Sequence, residues 1–491
     1  MGKALLVSLV AIAAAGSIAR ADSAESHDRL PPGEGRRITV PYTGPARPVA
    51  AQTSQYIYMN RCKGGCPVKK GSDDARALTS SIAATDGIVG EFQNDQGLTG
   101  AAADAAWAAL VTCVQEVYSP FAVTVSDQLP INGVGYTMAI AAGQPGDIGL
   151  DTGILGVGLG TCTPLDNVIS FSFANHEGGT GQKRMLDTCW TIAQETAHNF
   201  GMDHEYQFTD GQSACSDPMT YRMDCGGQKF FRNKPAVCGE YVGRVCSCGG
   251  AQNSVSHLTK TLGAGISSIP APSIVLSTPA AGDAVQNSFS VHGQAGSRRG
   301  VAKVELYLND HLWATAPGAA FGVNGQPNPS DYLVTAPANV PDGVIDVQLK
   351  AYDDLDNKTD SAIVTVHKGA ACTTAASCLT GQKCDAGKCF WDAPVGVLGD
   401  TCTYNEFCTT GMCQQSDIGQ YCTQACVVGS VDGCPATFDC IATSETGGVC
   451  LPQSTGSGGC CSVGHGDHRL PWAPIGLGAV AFGFVFRRRR R

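Results

Sequence analysis

Gln194-Glu195-Thr196-Ala197-His198-Asn199-Phe200-Gly201-Met202-Asp203-His204, with Ser216-Asp217-Pro218-Met219-Thr220-Tyr221 further along, is the stretch from which the chain is best read. Positions four apart lie on one face of an α-helix. Gln194 and His198 can therefore point at one metal ion. Gly201 can adopt a positive φ and end the helix sharply, which lets His204 swing back as a third ligand. Glu195 then sits beside the ion, placed to take a proton from a metal-bound water.

The upstream pattern suits a mixed α/β block. Strands are expected at 55–60, 121–125, 138–142, 154–159 and 168–173. A helix is expected over 102–117, with Trp107, Leu110, Val111 and Val114 on one stripe, and a second from about Gln182 to Phe200. His176-Glu177 precedes two glycines and reads as a surface turn. His257 and His292 read as ordinary histidines.

This constellation resembles the metzincin zinc peptidases, whose signature is H-E-x-x-H-x-x-G-x-x-H with a downstream Met-turn. Glu195, His198, Gly201, His204 and Met219 match it; Gln194 stands where the family has His. The resemblance covers roughly residues 51–265. It implies an α/β (α+β) catalytic domain, a Zn2+ cofactor, Glu195 as general base and a protein or peptide substrate. Tyr221 resembles the Met-turn tyrosine of astacin- and serralysin-like members, which can approach the zinc or the transition-state oxyanion. Gln194 leaves three readings open. Its amide oxygen ligates zinc, though carbonyl oxygens suit harder ions better. Or the metal sits on His198 and His204 plus another side chain. Or the site is empty and the domain is a pseudoenzyme.

The 491 residues suggest about three domains at ~150 residues each. Hydrophobic residues make up 43% and charged residues 15%, which argues against a largely disordered chain. A net charge of −10 argues against nucleic acid as the main partner, because that needs a basic footprint. The 24 cysteines point to an oxidising compartment. In the 51–265 block, Cys62/Cys66 and Cys246/Cys248 have metal-like spacing, but in an exported protein five disulfides are the expected use. Cys215 and Cys225 flank the Met-turn, where a bridge from either would fix that loop.

Both chain ends speak for export. Residues 1–21 combine Lys3, an apolar run and Ala19-Arg20-Ala21, the pattern of a signal peptide. Residues 22–50 are Pro-rich and read as a linker or short propeptide without regular structure; no cysteine switch stands in them. At the other end come a linker and tail, 453–491. Gly458-Gly459-Cys460-Cys461 is followed by an apolar stretch from Leu470 and five closing arginines. This order resembles the C-terminal surface-sorting tail of myxobacteria, which implies processing near Cys460 and Cys461. A plain transmembrane anchor is the alternative, although the stretch only just reaches spanning length. Either way, the membrane would be met only through this tail.

Between these parts, residues 270–368 show short alternating runs separated by turns, the spacing of an all-β sandwich. They resemble bacterial immunoglobulin-like modules, notably at Gly300-Val-Ala-Lys-Val-Glu-Leu-Tyr. The acidic cluster Asp353, Asp354, Asp356 and Asn357 reads as a solvated hairpin turn in preference to a calcium loop. Residues 371–452 hold twelve cysteines and read as a small disulfide module with six bridges. The whole is expected to be an exported monomeric zinc metallopeptidase. The rival is a surface adhesion or binding protein whose metzincin-like domain has lost catalysis.

Overall fold

The computed structural model describes residues 36–44 and 55–453, apart from 132–133, 223–226, 324–325, 327, 418, 429–432 and 445–446. The signal-peptide segment, Cys225 and the C-terminal tail with Cys460 and Cys461 lie outside the described residues. Among the described residues, no helix is long and apolar enough to cross a membrane. The protein is multidomain and strand-rich, and it divides into two compact units, 1–392 and 393–491.

The first unit is built on a six-stranded sheet. Its strands are β1 (Arg36–Pro41), β2 (Tyr56–Asn60), β3 (Thr124–Ser126), β4 (Thr137–Ala141), β5 (Ile154–Gly160) and β6 (Ile169–Ser172). Their order is β1-β5-β6-β4-β2-β3. All neighbours are parallel except β5 and β6. β4 and β6 are buried at every residue, as central strands covered on both faces should be. Helices α1 (Asp104–Tyr118) and α2 (Gly181–His198) pack on each other, and Cys113–Cys189 joins them. Tyr118 adds a buried hydroxyl donated to the Ala193 carbonyl of α2 at 2.9 Å.

β1 is the main departure from the sequence reading, which left 22–50 without regular structure. Ile38 and Val40 alternate with polar residues between prolines and pack against the hydrophobic core. The run is only six residues long and is framed by loop-forming residues, so its pattern is too short to stand out. Glu177 also departs: it is buried, not in a surface turn.

Why α2 can lie so close to β5 is written in Ile154-Leu-Gly-Val-Gly-Leu-Gly160. A Cβ on Gly156 would meet Glu195 Oε1 at 2.6 Å, and one on Gly158 would meet the Glu195 carbonyl oxygen at 2.4 Å. The two glycines face the helix and leave it the space that side chains would fill. Beyond α2, a small antiparallel sheet of β7 (Glu205–Phe208), β8 (Pro235–Cys238) and β9 (Gln252–Asn253) precedes α3 (Ser254–Leu262).

An Ig-like β-sandwich follows. A three-stranded sheet (Ser273–Thr278, Ser290–Gly296, Ser330–Thr335) faces a larger one that includes Val301–Leu308, His311–Ala319, Gly343–Tyr352 and Val364–Lys368. Val291, Val304, Leu306, Val347, Leu349 and Val366 form its core. Arg299 is fully buried and reaches into the preceding block. It holds Asp354 through two hydrogen bonds, at 2.6 and 3.0 Å, and donates to the Phe231 carbonyl. The acidic loop is therefore a turn, but not a solvated one. Asp353 accepts from the amides of Leu355 and Asn357, while Asp354 neutralises Arg299.

Twelve cysteines form the expected six bridges: 372–384, 378–389, 402–413, 408–422, 426–440 and 434–450. Each group of four is linked first to third and second to fourth, so the region is three copies of one crossed-disulfide motif. The first copy belongs to the first compact unit and the other two to the second. In the 51–265 block Cys62 pairs with Cys66, Cys162 with Cys248 and Cys238 with Cys246. Cys215 is also disulfide-bonded. These pairings remove the metal-like readings of Cys62/Cys66 and Cys246/Cys248, because a disulfide sulfur offers no thiolate.

Candidate metal centre

α2 carries the first part of the site. Gln194, Glu195 and His198 lie in its last turns and are completely buried. The helix ends at His198, and Gly201 takes φ +95°. Gly201 N–H donates to the His198 carbonyl and Met202 N–H to that of Ala197. This reversal returns the chain so that His204 faces His198, as the glycine position led us to expect.

The two imidazoles are held by their far nitrogens. His198 Nδ1 donates to the Met202 carbonyl at 2.8 Å, and His204 Nδ1 donates to Glu240 Oε1 at 3.0 Å. Such outer partners fix the tautomer and leave Nε2 with its lone pair. The two Nε2 atoms then face each other at 2.9 Å. At that distance a proton or a metal ion must lie between the two nitrogens, because two facing lone pairs would repel. Burial, reinforced by the neighbouring His204, pushes His198 down to about 3, so its ring is neutral, as a metal ligand requires.

Glu240 belongs to a closed network. Arg244 donates to Glu240 at 2.8 Å and to both Asp203 oxygens at 2.6 and 2.7 Å, while Asp203 accepts from the His204 amide at 2.8 Å. The hydrogen bond from His204 and the Arg244 pair hold the Glu240 carboxyl down at about 2, against its burial. Burial also opposes ionisation of Asp203, but Arg244 and Ser247 outweigh it and keep that carboxyl well below the usual range. The Cys238–Cys246 bridge encloses Glu240 and Arg244. No spacing in the sequence links Glu240 to His204, so this partner was missed.

Glu195 sits with Oε2 3.9 Å from His198 Nε2. Neither of its carboxylate oxygens has a hydrogen-bond partner, and neither amide atom of Gln194 has one. Burial raises the Glu195 pKa well above the carboxylate range, only partly opposed by the field of Arg37 and by the nearby Gly158 amide. Orphaned buried polar atoms beside two converging imidazoles are groups that a bound cation would satisfy. The donor set, two neutral nitrogens and one neutral amide oxygen, fits a divalent cation; the nitrogens favour zinc and the amide oxygen weakens that preference.

Met219 is fully buried, its carbonyl accepts from the Glu205 amide at 2.9 Å, and its own amide donates to Asp217 at 2.9 Å. Tyr221 stacks edge-on against His204 with ring centroids 4.6 Å apart. Its hydroxyl donates to the Arg37 carbonyl of β1. Burial first, then Glu195 and Glu240, push the Tyr221 hydroxyl far above its ordinary value, so it keeps its proton. Glu195, His198, His204 and Tyr221 are thus brought together, Met219 bonds the residue after His204, Gln194 is buried one residue before Glu195 on α2, and Gly201 makes the turn that allows it.

Residues 272–369 match the bacterial Ig domain family. That match covers the sandwich and does not extend over residues 51–265. No curated protein matches the chain. Among solved structures, the fibronectin(III)-like modules of Clostridium thermocellum CbhA are similar at 19% identity, over 20% of this chain and 94% of theirs, with a TM-score of 0.15. A lytic polysaccharide monooxygenase of Jonesia denitrificans is similar at 14% identity, over 28% of this chain and 77% of its own, also with a TM-score of 0.15.

Proposed function

We propose that residues 51–265 form a metzincin-like zinc metallopeptidase domain hydrolysing peptide bonds in extracellular protein. The observation that carries this reading is the pair of tautomer-locked imidazoles whose Nε2 atoms converge at 2.9 Å beside an unpartnered glutamate. His198 and His204 would hold the ion, with the Gln194 amide oxygen as third donor. Zinc, when bound, supplies Lewis acidity toward water and a peptide carbonyl.

The chain's own residues do the rest. With a divalent cation beside it to hold it ionised, Glu195 would accept the proton of an attacking water and pass it to the leaving amine. Glu240 steadies the His204 ring through Nδ1. Tyr221 packs its ring against His204, and its hydroxyl, which donates to the Arg37 carbonyl, would serve an oxygen that gains negative charge once β1 is displaced. The signal-peptide pattern of residues 1–21 and the disulfide content support export, and the tail supports surface display or release. A monomer suffices for this chemistry.

The test is hydrolysis of a denatured protein by the full-length chain, intact and after limited proteolysis upstream of Gln55. Glu195→Ala should lower the rate by about a hundredfold or more. Hydrolysis indifferent to Glu195 in both states, or absent from both, would sink the reading. The surface-binding alternative would then take over; Gln194 in place of the first histidine is the residue that favours it.

A further inference from the structure

If the site is a peptidase site, its substrate must reach Glu195, yet Gln194, Glu195 and His198 are wholly buried and β1 lies at the sheet edge beside them. β1 runs along β5 in continuous register from Arg37↔Gly156 to Pro41↔Gly160. It is an extended peptide seated on a sheet edge, the arrangement by which strands are added in peptide recognition. What anchors it is Arg37. Its side chain is 2% exposed, and Nε donates to Thr191 Oγ1 of α2 at 2.7 Å. Thr191 Oγ1 in turn lies 3.5 Å from Glu177 Oε2. The buried carboxyl of Asp187, one turn earlier on α2, is paired with Lys183 at 2.5 Å and is not available to the guanidinium. The guanidinium acts electrostatically on both Glu177 and Glu195. Its Nη2 is buried without a partner, and the carbonyl of the same residue accepts from Tyr221.

We infer that Glu177 and Thr191 form a subsite for an arginine side chain beside Glu195, and that Arg37 is its built-in occupant. An apolar pocket would reject a guanidinium by its desolvation cost; this one supplies the Thr191 hydroxyl as acceptor, with the Glu177 carboxyl behind it. Substrates of the domain are accordingly extended peptides carrying arginine at this position, and Glu177 sets the preference. The inference rests on the peptidase reading for the word substrate, but the pocket and its ligand class can be tested without catalysis.

The test uses the full-length protein. Amide hydrogen exchange is followed on Ile38–Val40 in wild type and Arg37→Ala. A labelled synthetic peptide copying residues 34–44 is titrated into Arg37→Ala, alongside versions with Ala or Glu in place of the arginine at position 37. We expect β1 protection to fall at least tenfold in Arg37→Ala, and the arginine peptide to bind at least tenfold more tightly than the alanine one. Adding Glu177→Gln should remove most of that ratio; Arg37→Lys should keep β1 better protected than Arg37→Ala. Unchanged protection in Arg37→Ala, equal binding of the peptides, or a ratio indifferent to Glu177→Gln would each overturn the inference. Arginine-selective binding by a chain that binds no zinc and hydrolyses nothing would refute the peptidase reading and leave the subsite standing.

Discussion

Gly156 and Gly158 sit two apart on β5, yet alanine at each should fail in a different way. At Gly158 the new methyl carbon would lie 2.4 Å from the Glu195 carbonyl oxygen and 3.0 Å from His198 Cβ. Backbone cannot rotate aside, so α2 must lift from the sheet. Overpacking of this kind costs about 1–3 kcal/mol, or a fall in Tm of several degrees. At Gly156 the obstacles are side-chain atoms: Glu195 Oε1 at 2.6 Å, Glu195 Cγ at 2.7 Å and Thr191 Cγ2 at 2.7 Å. The glutamate can swing, so less stability is lost, but the proton acceptor leaves its place. A displacement of about 1 Å in a reacting group is enough for a hundredfold loss of rate. Gly178→Ala is the control, since nothing lies within 4 Å of a Cβ there. Thermal unfolding and Glu195-dependent hydrolysis are compared across the three variants. The reasoning is refuted if Gly158→Ala unfolds at the same temperature as Gly178→Ala, or if Gly156→Ala keeps full activity.

Other consequences follow from the same contacts. Arg299→Ala leaves the Asp354 carboxylate with the Asn233 amide at 3.0 Å and the Arg232 contact at 3.6 Å and should destabilise the first unit by about 3–5 kcal/mol in denaturant unfolding. Burial alone would raise the Asp354 pKa, but Arg232 and Arg299 outweigh it and hold the carboxyl below its usual value. Its stabilising effect is therefore complete above the ordinary carboxylate range and is lost as pH falls through the lowered folded value; a pH series on wild type and Arg299→Ala should converge at the acid end. Glu240→Gln keeps an acceptor for His204 but removes its charge, and should weaken metal binding by about 10- to 100-fold in a competition titration.

Much of the site was legible because its geometry is local. Helical periodicity joins Gln194 to His198, and one glycine with positive φ returns His204. The strands at 56–60, 154–160 and 169–172 and both large helices also announce themselves by hydrophobic pattern. What escaped depends on distance in sequence. Glu240 reaches His204 across a loop, and Arg37 reaches Thr191 across most of the block, with no spacing to betray either. Glu177 looked like a turn residue because two glycines follow it; its burial comes from β1, itself unseen. The sandwich strands at 311–319 and 330–335 were missed because their alternation is broken by Gly and Pro or left partly exposed. The threefold Cys repeat, by contrast, was present in the spacing: Cys372/Cys378, Cys402/Cys408 and Cys426/Cys434 each open a similar unit.

The most direct test of the metal centre is the zinc content of the purified, oxidatively folded full chain, measured beside His198→Ala and Gln194→His. The account predicts about one zinc per chain in the natural sequence, lost in His198→Ala and bound more tightly in Gln194→His. No metal in the natural sequence, with one zinc gained in Gln194→His, would contradict it: the fold would have kept the shape of the site while the glutamine gave up its ion.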